Sequence, residues 1–491
     1  MLFRSKGTLV AEKSSLDLPL LSDSIALVLF VLGIWLAIDA IGRGRTPQGA
    51  FAWALALTFL PPVAIPLYLL FGARRLDHYV RARRRGQVGL DSLAQTANQS
   101  MRPWRIDMPL VEREHKGAMQ IVADRLTTTA WTRGNRSTLL VDATATYAAI
   151  ELALESAVEQ ACVQFYIVRD DAVGQRLQQA MLKAAARGVK VLFLVDDVGS
   201  MSLSRTYIEV LERGRVRCAR FSPRRIFNPF QLNFRNHRKV VVVDGQTALV
   251  GGKNIGNEYL GADPEIGQWR DTHVQIEGPA ALAAQLAFCE DWNWASGRVP
   301  DLSWHSIERG NERILLVPTG PADELETCAL MFHQAIHNAR RRFWIATPYF
   351  VPDEAIITSL QLARLRGVDV RIIIPEDCRN ALVKRSMYSY YEEVLGAGIS
   401  LYRYQPAFLH HKVFISDDIV GIGTANFDNR SFRINFEITA LADGGALLHA
   451  AEAMFNEDFR QSRPAHLSDW ASRSWLFRAS ARISRLMSPV Q

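Results

Sequence analysis

One pattern of histidine, lysine and aspartate occurs twice in the chain with the same spacing. In both copies the lysine follows the histidine by two residues and the aspartate follows it by seven. The two sets are His237, Lys239 and Asp244, and His410, Lys412 and Asp417. From the composition of the chain, only about 0.01 such matches are expected by chance. One copy alone would suggest an ordinary strand, but two copies indicate a shared chemical task.

The spacing has a chemical meaning if each pair lies on an extended strand. Residues two apart on a strand point to the same face, so each histidine and its lysine can face one cavity. Two imidazoles and two ammonium groups suit phosphodiester exchange, in which one histidine attacks phosphorus and the other protonates the departing alkoxide. The lysines, with the downstream amides of Asn254 and Asn426, would stabilise charge on the phosphoryl oxygens. We expect no metal and no cofactor.

The landmarks around the two motifs recur in the same order, so the chain from about residue 135 onward is an internal repeat. Segment 158–171 corresponds to 337–353, and segment 186–197 corresponds to 365–377. Strands rich in β-branched residues alternate with helical segments, which predicts an α/β fold with mostly parallel sheets. Two similar units should pack about a pseudo-twofold axis. A site at their interface would then receive one copy of each motif.

Composition and charge restrict the function only coarsely. With 491 residues, 48% hydrophobic and 22% charged, the chain is expected to form two or three packed units rather than a disordered polymer. The formal net charge of +7 suits an anionic partner, which could be nucleic acid, an anionic lipid surface or phosphate-bearing small molecules. The 5 cysteines are scattered and form no CxxC pair, so neither a disulfide framework nor a zinc site is indicated.

Two apolar stretches near the N-terminus predict a transmembrane hairpin. Residues 25–41 are apolar except for Asp39, and residues 49–71 carry no charge over a length that spans a bilayer. The first stretch could instead be a signal peptide, although no clear cleavage site precedes the second. Arginines are concentrated in 74–85, after the second span, which predicts by the positive-inside bias that the large domain is cytoplasmic.

Several longer segments resemble the phospholipase D superfamily and, within it, the bacterial cardiolipin synthases. They are NFRNHRKVVVVDG (233–245), WRDTHVQIEGP (269–279), ATPYFVPD (346–353) and NFDNRSFRINFE (426–437). The resemblance covers nearly the whole chain after about residue 135, and the N-terminal hairpin is similar to the membrane segment of that family. It implies two tandem phospholipase D-like domains behind a membrane anchor in the bacterial inner membrane.

The resemblance also implies a reaction and the residues that perform it. Two phosphatidylglycerol molecules give cardiolipin and glycerol, and the partners are phosphatidylglycerol and anionic membrane lipids rather than nucleic acid. His237 is expected to be the nucleophile and His410 the general acid and base. An acidic residue downstream of each histidine, Asp271 and Glu437, is expected to orient its histidine. The motif aspartates are expected to support the strand and turn more than to touch substrate.

These observations divide the chain into five parts. They are the N-terminal tail and hairpin (1–72), a basic connecting segment (73–134), phospholipase D-like domain 1 (135–305), phospholipase D-like domain 2 (306–464) and a basic amphipathic tail (465–491). The tail could lie on a membrane surface or pack on its own domain. Three alternative functions stay open: a phospholipase D or a phosphatidyltransferase with another acceptor, a membrane-bound nuclease, and a non-catalytic membrane scaffold. Oligomeric state is not predicted.

Overall fold

The computed structural model describes residues 17–43, 47–72, 90–106, 118–222, 234–261, 267–378 and 380–486. The chain divides into two compact units, Met1–Arg81 and Ala82–Gln491. We describe each unit by itself. Residues 73–89, the part of the predicted basic connecting segment that holds the arginines of 74–85, lie outside the described residues.

The N-terminal unit contains three helices, α1 (Asp17–Arg43), α2 (Pro47–Phe59) and α3 (Pro61–Phe71). Within α1, Ser24–Arg43 has a mean hydropathy of 2.5 and is long and apolar enough to cross a membrane. The second apolar stretch of the predicted hairpin is not one continuous helix, because α2 and α3 are separated at Leu60. A proline at the start of α3 disfavours helical geometry in the residue before it, and Leu60 has φ −132° and ψ 47°.

Buried side chains of all three helices pack together in the N-terminal unit, including Leu36, Leu57 and Tyr68. The acidic residue of the first apolar stretch, Asp39, has partners within the unit. Its carboxylate accepts a hydrogen bond from the Tyr68 hydroxyl at 2.9 Å and forms an ion pair with Arg43 at 2.9 Å. These partners offset much of the cost of placing a carboxylate near the end of an apolar helix.

The large unit is built around one 16-stranded sheet formed by both halves of the repeat, with two separate two-stranded sheets beside it. The first half contributes β1 (Thr132–Val141), β2 (Gln160–Phe165), β3 (Lys190–Asp196), β4 (Arg217–Phe221), β5 (Arg235–Asn236), β6 (Val240–Val243), β7 (Thr247–Gly251), β8 (Trp269–Arg270) and β9 (Thr272–Glu277). The second half contributes β10 (Glu312–Thr319), β11 (Arg342–Ala346), β12 (Phe350–Val351), β13 (Asp369–Pro375), β14 (Ser400–Tyr404), β15 (Phe408–Leu409), β16 (Val413–Ser416), β17 (Ile419–Gly423), β18 (Phe427–Asp428), β19 (Asn435–Asp443) and β20 (Ser462–Pro464).

The order of the strands confirms the repeat. The first strands of the two halves, β1 and β10, pair antiparallel at the centre of the sheet. Outward from β1 the order is β9, β7, β6, β2, β3, β4, and outward from β10 it is β19, β17, β16, β11, β13, β14, followed by β20. Each strand in this order except β20 therefore has a counterpart at the same place in the other half. Equivalent strands that pair antiparallel at the centre are what a pseudo-twofold axis between the halves requires.

The sheet is mixed, so the prediction of mostly parallel sheets is wrong. Along the main order of the sheet, four pairs are parallel: β2 with β3, β3 with β4, β11 with β13, and β13 with β14. The short strand β5 also pairs parallel with β19, and the other pairs of this sheet are antiparallel. Tight turns join β6 to β7 and β16 to β17, which makes these pairs antiparallel. The parallel strands lie in the segments where strands alternate with helices along the sequence. The motif segments form antiparallel strands.

Helices cover the sheet and fill the rest of the large unit. They are α4 (Leu90–Met101), α5 (Ala118–Arg125), α6 (Asp142–Ser156), α7 (Ala172–Ala186), α8 (Arg205–Arg213), α9 (Ala281–Ser296), α10 (Thr327–Asn338), α11 (Glu354–Leu365), α12 (Ala381–Ser389), α13 (Tyr391–Gly396), α14 (Asn429–Arg433), α15 (Gly445–Arg460), α16 (Leu467–Ala471) and α17 (Trp475–Leu486). Side-chain caps fix where several of them begin. The carboxylates of Asp171 and Asp353 accept backbone N–H bonds at equivalent starts, those of α7 and α11.

The last helix, α17, packs on its own domain, which is the second of the two alternatives predicted for the tail. The Phe477 ring lies edge-on to Tyr388 at 5.4 Å, and the guanidinium of Arg485 forms an ion pair with Glu393. The opposite face of the helix is exposed and carries the large apolar side chains Trp475, Leu476, Ile483 and Leu486.

Candidate active site

Short strands that pair across the two halves place both histidines. β5 pairs with the start of β19, and the His237 N–H donates to the Phe436 carbonyl at 3.0 Å. In the same way β15 pairs with β8, and the His410 N–H donates to the Arg270 carbonyl at 2.7 Å. The backbone of each histidine is therefore bonded to the other half of the repeat, immediately before that half's acidic residue.

As a result, each histidine is held by the acidic residue of the opposite half. Nδ1 of His237 lies 2.9 Å from Oε2 of Glu437, and Nδ1 of His410 lies 2.6 Å from Oδ2 of Asp271. The sequence-based assignment, which gave each histidine the acid downstream of it in its own half, is wrong in its pairing. The acids do follow their motifs in sequence, but the strands β8 and β19 carry them across the interface.

The hydrogen bonds at Nδ1 determine which ring nitrogen is available for chemistry. A carboxylate accepts, so Nδ1 carries the proton and Nε2 of each imidazole keeps a free electron pair. Nζ of Lys412 also approaches Nδ1 of His410 to 2.7 Å. Because Nδ1 cannot donate to Asp271 and accept from Lys412 at once, we assign the hydrogen bond to the carboxylate, which lies closer. Lys412 has another acceptor, the His410 carbonyl, at 2.6 Å.

The two motif lysines are buried beside their histidines. Nζ of Lys239 donates to the His237 carbonyl at 2.6 Å, in the same arrangement as Lys412 and His410. Lys239 also lies over the Tyr166 ring, with Nζ 5.3 Å from its centroid. Burial lowers the pKa of Lys412 to about 8 and lowers the pKa of Lys239 well below its usual value. The structure brings both lysines to the site, and their contact with phosphoryl oxygens stays a prediction.

Burial also controls the protonation of the histidines. It is the largest influence on both, lowering the pKa of His237 to about 4 and that of His410 to about 3. The two acids keep their negative charge despite burial. Burial raises the pKa of both carboxyl groups, but neighbouring groups lower it by more. Lys412 and His410 have this effect on Asp271, and His237 contributes to it at Glu437. At pH 7, both imidazoles are therefore neutral and both carboxylates are ionised.

The motif aspartates lie at the turns between strands. Asp244 accepts hydrogen bonds from the backbone N–H groups of residues 158–160, and Asp417 accepts them from residues 340–342. Both have φ 52°, the left-handed region that a turn requires. These carboxylates connect the motif turn to the first parallel strand of each half, which fits the supporting role expected for them rather than contact with substrate.

Both predicted asparagines line the same cavity as the two histidines, which has a volume of about 380 Å³. Oδ1 of Asn254 accepts from the Ile167 N–H at 3.1 Å, and its amide nitrogen donates to the Tyr259 hydroxyl at 3.2 Å. An amide nitrogen has two N–H groups, so Asn254 keeps one that can donate to a bound oxyanion. The predicted role of both amides in holding phosphate stays a prediction.

Sequence reasoning missed most of the aromatic and cationic lining of the cavity. Tyr166 lies edge-on to His237 at 5.1 Å, and Trp269 lies 5.0 Å from the His410 ring. Tyr349 lines the cavity, whereas its neighbour Phe350 is buried in the core. Arg235 also faces the cavity and stands two residues before His237, a spacing that would have revealed it. Arg224 and Arg225, which precede the first motif and could contact either lipid or solvent, lie outside the described residues.

Paired histidines with opposed acids on a duplicated mixed sheet define a two-domain enzyme of the phospholipase D type. Residues 150–281 and 332–459 match the family described as "Cardiolipin synthase, PLD-like domain". Residues 31–72 match the family described as "Phospholipase_D-nuclease N-terminal". Among solved structures, phosphatidylserine synthase of Haemophilus influenzae Rd KW20 has the same fold, with a TM-score of 0.56 at 14% identity, covering 73% of this chain and 95% of that chain.

Curated relatives extend the similarity to nearly the whole chain. Cardiolipin synthase A of Pseudomonas putida (strain GB-1) is 44% identical over 469 residues, covering 94% of this chain and 97% of that protein. Cardiolipin synthase A of Pseudomonas entomophila (strain L48) is 45% identical with the same coverage. The chain belongs to the bacterial cardiolipin synthase family. It is a phosphatidyltransferase that acts on phospholipid and is associated with the membrane.

Proposed function

We propose that the enzyme transfers a phosphatidyl group from one phosphatidylglycerol to another through a phosphohistidine, giving cardiolipin and glycerol. The observation that carries this proposal is the pair of histidines from different halves that line one cavity. Each is held at Nδ1 by a buried carboxylate, which leaves Nε2 for the reaction. One phosphodiester replaces another, so we expect the exchange to be nearly thermoneutral and to need no nucleotide.

In the first step, Nε2 of His237 attacks the phosphorus of the donor lipid. A P–N bond forms as the P–O bond to glycerol breaks, and His410 gives a proton to the glycerol oxygen. In the second step, His410 takes the proton from a glycerol hydroxyl of the acceptor lipid, whose oxygen attacks phosphorus. The P–N bond breaks, cardiolipin is formed and His237 is neutral again.

Substrate binding allows His410 to take up from solvent the proton that this scheme needs. Before substrate binds, the imidazoles are neutral, because burial and the two lysines lower their pKa values. A phosphodiester anion between the rings raises the pKa of the histidine that does not attack, since an opposite charge favours the protonated form. His410 therefore becomes a general acid in the complex, while Lys239 and Lys412 stabilise the additional charge of the transition state.

We infer that the enzyme is a multi-pass protein of the bacterial inner membrane, with its catalytic domain in the cytoplasm. The length and hydropathy of Ser24–Arg43 support one span. Two apolar helices, α2 and α3, follow it in the same compact unit, and together they have the length of a second span. Orientation rests on the arginines of 74–85 in the sequence. Membrane attachment also keeps the lipid acceptor concentrated relative to competing water.

The test is lipid turnover by purified protein reconstituted in liposomes that contain labelled phosphatidylglycerol, without metal or nucleotide. The variants are His237→Ala and His410→Ala. The control is His449→Ala, because the His449 side chain is 79% exposed on the surface of α15. We expect wild type and the control to make cardiolipin and glycerol in equal amounts, and both active-site variants to make neither.

Other products would identify the alternatives. Phosphatidic acid in place of cardiolipin would show that water is the acceptor and that the enzyme is a hydrolase. Cleavage of nucleic acid without lipid turnover would overturn the lipid substrate. Mapping of the label to one histidine after rapid quenching in base, in which a phosphohistidine is stable, would identify the nucleophile, and label on His410 would reverse the two roles given above.

A further inference from the structure

Each half of the repeat has a buried aspartate on the helix that follows the acidic residue of that half. Asp291 lies on α9 within the sequence FCED (288–291), and Asp458 lies on α15 within FNED (455–458). Both aspartates are fully buried. A carboxylate in such a place needs a cation or several hydrogen-bond donors. The two halves provide the cation from different positions.

In the first half, the cation comes from the histidine motif itself. Arg238 stands between His237 and Lys239, and its Nη1 lies 2.9 Å from Oδ2 of Asp291. Its Nε donates to the Glu437 carbonyl at 3.0 Å. Because Glu437 is the acid that holds His237, this guanidinium fastens the strand of that acid to a helix of the opposite half.

In the second half, the position of Arg238 is occupied by His411, which does not bind in the same way. Its ring is fully buried, and Nε2 lies 3.3 Å from Oδ2 of Asp458 without making a hydrogen bond. The cation comes instead from the first half, because Nε and Nη2 of Arg270 each lie 2.9 Å from Oδ1 of Asp458. The counterpart of Arg270 in the repeat is Phe436, which has no charge.

Arg270 lies where the backbone and the acid of the second catalytic histidine are fixed. It immediately precedes Asp271, and its carbonyl accepts the His410 N–H at 2.7 Å. Its Nη1 lies 3.0 Å from Oδ2 of Asp142, whose N–H donates to the Asp271 carbonyl at 2.9 Å. A displacement of β8 would therefore move both the backbone partner and the carboxylate partner of His410.

We propose that Arg270 is a positioning residue for His410. Its ion pair with Asp458 fixes β8, so that the Asp271 carboxylate stays against Nδ1 of the imidazole. Arg238 has the corresponding place in the other half. This inference rests on the proposed function, in which His410 is needed for transfer to an acceptor but not for attack on a donor with a good leaving group. Loss of Arg270 should therefore slow only the steps that use His410.

The test measures these steps separately. The donor is phosphatidyl-p-nitrophenol with deuterated acyl chains, whose leaving group departs without a general acid, and the acceptor is phosphatidylglycerol in liposomes. The burst of p-nitrophenol reports attack by His237, and mass spectrometry follows labelled cardiolipin. Arg270→Gln is compared with His410→Ala. Arg342→Gln is the matched control, because Arg342 is similarly buried, 21% exposed against 16%, and pairs with Glu452 on the same helix, α15.

We expect Arg270→Gln to keep the wild-type burst and to lower transfer about 10- to 100-fold, the order of loss when a reacting group is misplaced by about 1 Å. Phosphoenzyme should then accumulate as in His410→Ala, and Arg342→Gln should change neither step. If the order of the histidines is reversed, Arg270→Gln and His410→Ala should lose the burst together. Wild-type transfer in Arg270→Gln, loss of a burst that His410→Ala keeps, or an equal loss in Arg342→Gln would each overturn the inference.

Two double variants distinguish positioning from stability. Arg270→Gln leaves the buried charge of Asp458 unpaired, which lowers stability, and adding Asp458→Asn removes that charge. We expect this pair to regain thermal midpoint while transfer stays low; recovery of both would show that Arg270 acts through stability alone. Arg270→Phe with His411→Arg gives the second half the arrangement of the first. It should transfer several-fold faster than Arg270→Phe, and no gain would contradict the inference.

Failure of the proposed function would give a different result. If wild type forms labelled phosphatidic acid in place of cardiolipin, the phosphatidylglycerol acceptor is wrong but the inference is still tested. Transfer to water also needs His410 as the base, so the same variants are then compared by the rate of phosphatidic acid formation.

Discussion

Exchange of the two acids between the halves leads to a prediction about which acid serves which histidine. Glu437→Gln and Asp271→Asn keep the size of each side chain but remove its charge. Each loses a charge-assisted hydrogen bond to Nδ1, made at 2.9 Å to His237 and at 2.6 Å to His410. Such a bond is worth about 1.5–3 kcal/mol, or roughly 10- to 200-fold in rate. Loss of the correct tautomer can extend this to about 10⁴-fold.

The assay uses phosphatidyl-p-nitrophenol as the donor lipid. Its leaving group allows the roles of the two histidines to be measured separately. p-Nitrophenol leaves without a general acid, so its burst requires the nucleophile alone, whereas transfer to an acceptor requires both histidines. If His237 is the nucleophile, His237→Ala should abolish the burst and Glu437→Gln should slow it. Asp271→Asn should keep the burst and then accumulate phosphoenzyme, as His410→Ala does. If the order of the histidines is reversed, both phenotypes exchange together.

The crossed pairing therefore predicts a match of phenotypes that does not depend on the order. Glu437→Gln should resemble the His237 variant, and Asp271→Asn should resemble the His410 variant. The opposite match, with Asp271→Asn resembling the His237 variant, would refute the reasoning. Equal effects of the two acid variants on the burst and on acceptor transfer would refute it too, since they would show no separate partnership.

Three further predictions concern stability and packing. Because burial lowers the pKa of His237 to about 4 and that of His410 to about 3, against about 6.5 when unfolded, the unfolded chain binds more protons in between. The thermal midpoint in detergent should fall as pH decreases from about 6.5 to 4, and His237→Gln should flatten that fall; a flat wild-type curve would contradict this. Asp244→Ala should lower the free energy of unfolding by about 2–4 kcal/mol, because it loses three backbone partners. Chemical denaturation measures this, and a kcat loss at unchanged stability would instead support a catalytic role. Gly252→Ala would place Cβ 2.3 Å from Oδ1 of Asp271, so transfer should fall more than 10-fold; wild-type turnover would show that the carboxylate can move.

The repeated pattern in the sequence was sufficient to predict that the two histidines meet in one site and that the fold is duplicated, because identical spacing on a strand implies identical placement. It could not show that Asp271 crosses to His410, since pairing across the interface depends on β8 meeting β15 in space. Hydrophobic alternation likewise cannot show the direction of a neighbouring strand, so the antiparallel strands were missed. The break at Leu60 was legible in principle, because Pro61 and Pro62 follow it.

Joining both halves in one polypeptide has a consequence for specialisation. A site formed by two identical subunits must present the same side chains at both ends, whatever each end binds. In this chain the continuous sheet through β1 and β10 holds the halves together at any dilution, while each half is encoded separately. Substitutions can therefore accumulate at one end alone, as Arg235 opposite Phe408 illustrates. Joining the halves in one chain thus allows the two ends of a pseudo-symmetric active site to differ in their side chains.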